Sequence, residues 1–187
     1  HGTLANAVSF NAAADIAGIK PIIGMEGYVR QDGKRFHITL LADGPKGFST
    51  LVKLNNKGQE SDDPSRPSFQ FNDLLKNNEG LYVLTGCAAS PFQHEVDWED
   101  ARQLALELKS AIGPRLMADV MFVGNAGGHW ERATKLARDL KLAPVVTNDV
   151  HFSYAQDAET QKLLTMIKSG FTYENRYLYL ATEDDLR

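Results

Sequence analysis

The chain has 187 residues, 43% of them hydrophobic and 24% charged, with a formal net charge of −4 and a single cysteine. That length suits one domain, or one and a small annex, and the composition excludes disorder as its main description. The acidic balance gives no overall basic footprint for non-specific nucleic-acid binding, although a local basic patch stays open. One cysteine, Cys87, excludes an internal disulfide framework and suits a reducing compartment, so a cytoplasmic location is expected. No apolar run reaches the ~18 residues that a membrane span needs, and no signal peptide is read. The chain starts at His1 and its first methionine is Met25, so a native translation start is not expected there.

The elements are read in chain order as short apolar runs alternating with amphipathic stretches. Leu4 to Ala17 has helical spacing, with Val8, Ala12 and Ile16 on one stripe and Gly18 as a stop. Pro21 to Val29 reads as a buried strand, Gln31-Asp32-Gly33-Lys34 as a hairpin or tight turn, and Phe36 to Ala42 as the next strand. Gly47 to Asn55 is a helix, and the polar segment 57–70, with Pro64 and Pro67, is expected to be an irregular loop. Asn72 or Asp73 caps a short helix that runs through Lys76. Leu81 to Leu84 is a strand ending in Thr85-Gly86-Cys87, and Asp97 opens a strong helix through Ala111 with acidic residues in its first turn. Arg115 to Val123 is a strand, and Trp130 to Leu140 a helix with Ala133, Leu136, Ala137 and Leu140 inward. Pro144 to Val146 is a strand leading into Asn148-Asp149-Val150-His151; Ala155 to Lys168 is helical, and Tyr177 to Leu180 is a short edge strand. This β-α alternation, with about five strands, argues an α/β fold on a parallel sheet, either open or rolled into a barrel.

In β/α folds, functional side chains collect at the C-terminal ends of strands. Glu26 falls late in its strand, Cys87 directly after Gly86, and Asp149 and His151 at the end of another strand. Two apart in extended chain, Asp149 and His151 point the same way. A carboxylate and an imidazole on one face are natural ligands for a divalent transition metal. Each residue also has a plainer reading. Cys87 fits an inert buried thiol, Glu26 fits a carboxylate paired with a lysine or one at an exposed strand end, Asn148-Asp149 fits a turn, and His37 fits a surface strand position.

Several segments then resemble one family. His1-Gly2-Thr3-Leu4-Ala5-Asn6 is similar to the DHGN-type segment of the PHP (polymerase and histidinol phosphatase) domain, in the form carried at the N-terminus of bacterial DNA polymerase III alpha subunits. Ala17-Gly18-Ile19-Lys20-Pro21-Ile22-Ile23-Gly24-Met25-Glu26 resembles its AGIKPIIGxE motif, and Phe36 to Ala42 its HLTLLA strand. Gly47-Phe48 and Leu51 to Leu54 resemble the following GYxNLVKL helix, and Gly80 to Cys87 its GLIxLSGC segment. Pro144 to Phe152 resembles PxVATNDVHY, and the stretch from Tyr177 resembles the segment leading toward the polymerase body. The likeness covers nearly the whole chain in order. It departs where the family carries a leading strand with an HxH pair and then an Asp, and again at Met121 to Gly128.

The resemblance implies a PHP-type distorted (β/α)7 barrel, incomplete here by about its first two strands, so the chain is expected to be an N-terminally truncated piece. Residues 1–155 are then the PHP domain and 156–187 its end and the start of a linker. The resemblance maps metal ligands onto His1, Glu26, His37, Cys87, Asp149 and His151. Up to three divalent ions are implied, zinc or manganese by ligand type. It implies metal-assisted phosphoester hydrolysis, of 3′–5′ exonuclease type at a DNA end, within a polymerase whose partners are DNA and other replisome subunits. Weak or no hydrolysis is expected from these residues alone. Two alternatives stay open: a non-catalytic, metal-stabilised scaffold for the polymerase, and a stand-alone PHP phosphatase.

Overall fold

The Asp32-Gly33 pair sits at the centre of a two-residue hairpin. Both residues have positive φ, 51° and 75°, as the mirror-image turn that matches strand twist requires. It joins β1 (Gly24–Gln31) to β2 (Lys34–Ala42) as an antiparallel pair in which Gln31 faces Lys34 and Gly24 faces Leu41. The computed structural model describes residues 2–63, 66–87, 89–92, 96–122, 129–170 and 177–185.

Among the described residues the chain forms one six-stranded sheet, flanked by α-helices, in the order β3-β1-β2-β4-β5-β6. β3 (Phe69–Gln70) pairs in parallel with β1; β4 (Leu81–Leu84) pairs antiparallel with β2; β5 (Leu116–Phe122) and β6 (Ala143–Asn148) add in parallel beyond β4. The fold is mixed α/β, and the sheet is not closed. The purely parallel expectation is corrected at the hairpin: a two-residue loop can join only antiparallel neighbours. The loop expected over 57–70 is likewise shorter, because α2 (Gly44–Gln59) runs past Asn55 and the segment ends in β3.

The helices take their ends from local chemistry. α1 (Ala7–Ala17) stops at Gly18, whose φ of 67° is the left-handed helix-ending conformation. α3 (Phe71–Lys76) begins two or three residues earlier than a cap at Asn72 or Asp73 implies, because Gln70 caps it and the Asp73 carboxylate accepts the Gln70 backbone N–H at 3.2 Å. α4 (Trp98–Ile112) is capped by Asp97, whose carboxylate accepts from Glu99 and Asp100 N–H. α5 (His129–Leu140) buries Ala133, Leu136, Ala137 and Leu140, as its spacing predicts. α6 (Ala158–Ser169) follows a short 3-10 turn at Ala155–Asp157. The expected strand at Tyr177 to Leu180 is reduced to one bridge, between Tyr179 and Phe152.

One main core fills the side of the sheet that α2, α4 and α5 cover. Ile38, Leu40, Leu51, Leu54, Leu81, Leu108, Leu116 and Leu136 are all buried there. Gly47 makes the α2 approach possible: a Cβ there would lie 2.0 Å from the Gly80 carbonyl. The opposite side is open. α1 buries only Ala14, and its Val8 and Ile16 are 79% and 90% exposed. Val8, Ile22, Leu41, Tyr82, Met117 and Val145 line a groove of about 1010 Å³ between α1 and the strands. No described helix is long and apolar enough to cross a membrane.

Candidate metal centre

Antiparallel register brings the first two donors together. Glu26 is opposite Thr39 and Tyr28 is opposite His37. Two residues apart on each strand, Glu26 and His37 are therefore diagonal neighbours on one face. Their side chains meet, with His37 Nδ1 2.9 Å from Glu26 Oε1. Tyr28 stacks on the His37 ring with centroids 4.7 Å apart and restrains its rotation.

The third donor arrives from β4. After Leu84 the chain turns through Gly86, whose φ is 84° and whose missing Cβ would lie 3.0 Å from the His37 carbonyl oxygen. Only glycine meets both conditions without strain. The turn aims Cys87 back at the hairpin: its Sγ lies 3.6 Å from Glu26 Oε1 and 3.5 Å from His37 Nδ1. The Ala89 N–H donates to the same sulfur at 3.4 Å, and the His37 N–H donates to Ala89 O at 2.9 Å, tying the Cys87 loop to β2.

Glu26, His37 and Cys87 thus present one ligand atom each within 4.8 Å of one another. A tetrahedral ion with bonds of roughly 2.0–2.3 Å separates its donors by roughly 3.3–3.6 Å. The two sulfur distances match that spacing, and the carboxylate–imidazole pair needs only to open slightly. The donor set of thiolate, imidazole and carboxylate therefore fits a divalent transition metal. Burial pushes the Cys87 thiol up to about 12; the Ala89 N–H opposes the rise, and the Glu26 and Asp149 charges add to it. Without a cation the group is a neutral thiol that donates to Glu26 Oε1. A bound cation is what converts it to a thiolate.

Asp149 and His151 form a second pair just beyond β6. His151 Nδ1 is 3.6 Å from Asp149 Oδ1 and 3.0 Å from the Asp149 carbonyl oxygen. Asp149 is near enough for its charge to raise both Cys87 and Asp119. The returning chain fixes this end: the His151 N–H donates to Leu178 O at 2.7 Å, and the Ala181 N–H donates to Asn148 Oδ1 at 3.0 Å. The structure thus gathers Glu26, His37 and Cys87 into one cluster and sets Asp149 and His151 beside it as a pair. His1 lies outside the described residues. Its neighbour Gly2 donates its N–H to Glu26 O at 2.7 Å.

Sequence reasoning missed Asp119, the fully buried carboxylate of β5. Its signal was an aspartate inside the apolar strand Leu116-Met117-Ala118-Asp119-Val120-Met121. It also missed Tyr28 and the double constraint on Gly86, which depend on strand register.

The family model described as the PHP domain matches residues 1–121 of this chain. DNA polymerase III subunit alpha of Thermus aquaticus is 30% identical across all of this chain and 17% of its own length. The proteins of that name from Borreliella burgdorferi and Deinococcus radiodurans are 29% and 28% identical, over 91% and 98% of this chain. The chain spans 16% and 15% of those two proteins. With most of its length matched by the family model and its carboxylate, imidazole and thiol converging from β1, β2 and the turn after β4, the chain belongs to the PHP domain family.

Proposed function

We propose that these residues are the PHP domain of a bacterial replicative DNA polymerase III alpha subunit, acting as a metal-dependent phosphoesterase of 3′–5′ exonuclease type on DNA ends. The convergence of Glu26, His37 and Cys87 carries the reading. The similarity to relatives named DNA polymerase III subunit alpha supports its setting, with DNA and other replisome subunits as partners. On this reading the six strands are part of a PHP-type distorted barrel. Residues 1–155 form the domain, and 156–187 its end and the start of a linker.

Glu26, His37 and Cys87 would hold one ion, and Asp149, His151 and His1 are assigned to further coordination. The thiol favours zinc, and the carboxylates and imidazoles admit manganese. Held by these residues, a divalent ion would supply activation of water and neutralisation of charge on phosphoryl oxygens. The protein's own contribution is to hold the donors in place. Glu26 Oε1 engages both His37 and Cys87, Tyr28 holds the imidazole plane, and the Ala89 N–H braces the sulfur. Nucleotide polymerisation is assigned to none of these residues.

One observation favours the scaffold alternative: Cys87 is only 8% exposed, so an ion bound to it is shielded. The test is to load the full gene product containing these residues with zinc or manganese and assay it on primed DNA. Loss of 3′-end hydrolysis in Asp149→Ala supports the catalytic reading. Unchanged hydrolysis in that variant contradicts the site. Tight metal binding with no hydrolysis in the wild type selects the scaffold.

A further inference from the structure

We propose that Asp119 is a positioning residue for the metal centre, holding in register the strand ends that carry Cys87 and Asp149. The inference rests on the metal-centre reading above. Asp119 sits in β5, between the two strands whose ends deliver those ligands. Its backbone N–H donates to Thr85 Oγ1 at 2.9 Å, and its Oδ1 accepts from the Thr147 hydroxyl. Thr85 lies two residues before Cys87, and Thr147 two residues before Asp149. One residue thus bonds the same relative position on both neighbouring strands.

The local geometry explains why a hydroxyl is used on each side. β4 ends at Leu84, and the Thr85 N–H still donates to Met117 O at 3.1 Å. Gly86 then turns the backbone away, so the Thr85 side chain accepts the next N–H of β5 where no β4 carbonyl is available. On the other side, Met121 faces Thr147 and Asp119 faces Val145, so the Asp119 and Thr147 side chains share a face as diagonal neighbours. A hydroxyl donating to a carboxylate is the strong kind of hydrogen bond, and it fixes β6 two residues before its ligand.

Packing alone does not account for this aspartate. It is 0% exposed, and its Oδ2 has no hydrogen-bond partner among the described residues. An apolar side chain would cost less to bury at this point. A charged acceptor aimed at Thr147 is explained by what Thr147 precedes.

The experiment uses cobalt(II) as the probe with the full gene product. Affinity and the sulfur-to-cobalt charge-transfer band are read well below each variant's unfolding temperature. The variants are Asp119→Ala, Thr147→Val and Thr147→Ser. The first two are expected to bind cobalt about tenfold or more weakly, while Thr147→Ser, which keeps the donor, stays near wild type. Thr85→Val is expected to shift the charge-transfer band, since it loosens the Cys87 side. A purely stabilising role lowers the unfolding temperature and leaves affinity and band unchanged, and that result overturns the proposal. Equal weakening in Thr147→Ser and Thr147→Val overturns it too. Failure of the wild type to bind cobalt at all overturns the metal-centre reading and this inference together.

Discussion

Glu26 and His37 are not partners in the β1–β2 ladder, yet their side chains are in contact. Glu26 faces Thr39 and His37 faces Tyr28, and the two meet diagonally with Oε1 and Nδ1 2.9 Å apart. The hairpin turn at Asp32-Gly33 fixes that diagonal, because a slip of one residue would move every side chain to the other face. Replacing either donor removes one corner of the cluster. Glu26→Gln and His37→Ala are each expected to weaken zinc binding by at least about tenfold, as read by competition with a chromophoric chelator. Wild-type affinity in both variants would place the zinc elsewhere.

Gly86 is the position at which backbone conformation and site geometry coincide. An alanine there carries a left-handed penalty and pushes on the His37 carbonyl. Gly86→Ala is expected to lose about 1–2 kcal/mol or more in urea denaturation. Gly33 is a useful comparison, since a Cβ there meets nothing within 4 Å. Gly33→Ala should therefore cost less than Gly86→Ala, and the reverse order would refute the close-approach explanation.

Asp119 makes the stability of the metal-free protein depend on pH. Burial pushes its carboxyl from 3.8 up to about 6, against the Thr147 hydroxyl, and the Asp149 charge adds to the rise. The folded state therefore binds a proton more tightly than the unfolded state does. The stabilising contribution is complete below 3.8 and is lost as pH rises through about 6. The difference converts to roughly 3 kcal/mol. Asp119→Asn cannot titrate, so wild-type stability should fall relative to it by roughly 2–3 kcal/mol between about pH 4 and about pH 7. A flat difference across that window in paired urea titrations would show that Asp119 is not the titrating group.

The Asp97 cap was readable from sequence and gives a simple stability test. Its carboxylate accepts from Glu99 N–H at 2.8 Å and from Asp100 N–H at 3.4 Å. Asp97→Ala is expected to cost about 1 kcal/mol, with Asp97→Ser close to wild type. Equal losses in both would mean that the cap hydrogen bonds contribute little.

These features differ in how far sequence alone could reach them. The Asp32-Gly33 hairpin and the α4 cap are local, set by residues a few positions apart, and both appear where the sequence places them. Glu26 and Cys87 were legible as chemistry because a carboxylate inside an apolar run and a thiol at a strand end both stand out, although Glu26 is the third residue of β1 and not late in its strand as expected. His37 was visible only through family resemblance, since nothing local separates it from a surface strand histidine. Its contact with Glu26 depends on cross-strand register. Asp119 was missed for a related reason: its partners Thr85 and Thr147 are 34 and 28 residues away. The Val8–Ile16 stripe of α1 was legible as a pattern, but periodicity shows which residues share a face, not whether anything covers it. The mixed sheet follows from the same limit, since β-α alternation describes the β4–β6 half and not the hairpin half.

The central claim is that Glu26, His37 and Cys87 together hold one divalent ion. X-ray absorption at the zinc edge, on protein loaded with one equivalent of zinc, tests it most directly. The account predicts one sulfur scatterer at about 2.3 Å with nitrogen and oxygen at about 2.0–2.2 Å, and loss of the sulfur in Cys87→Ser. A wild-type shell of nitrogen and oxygen alone would contradict it.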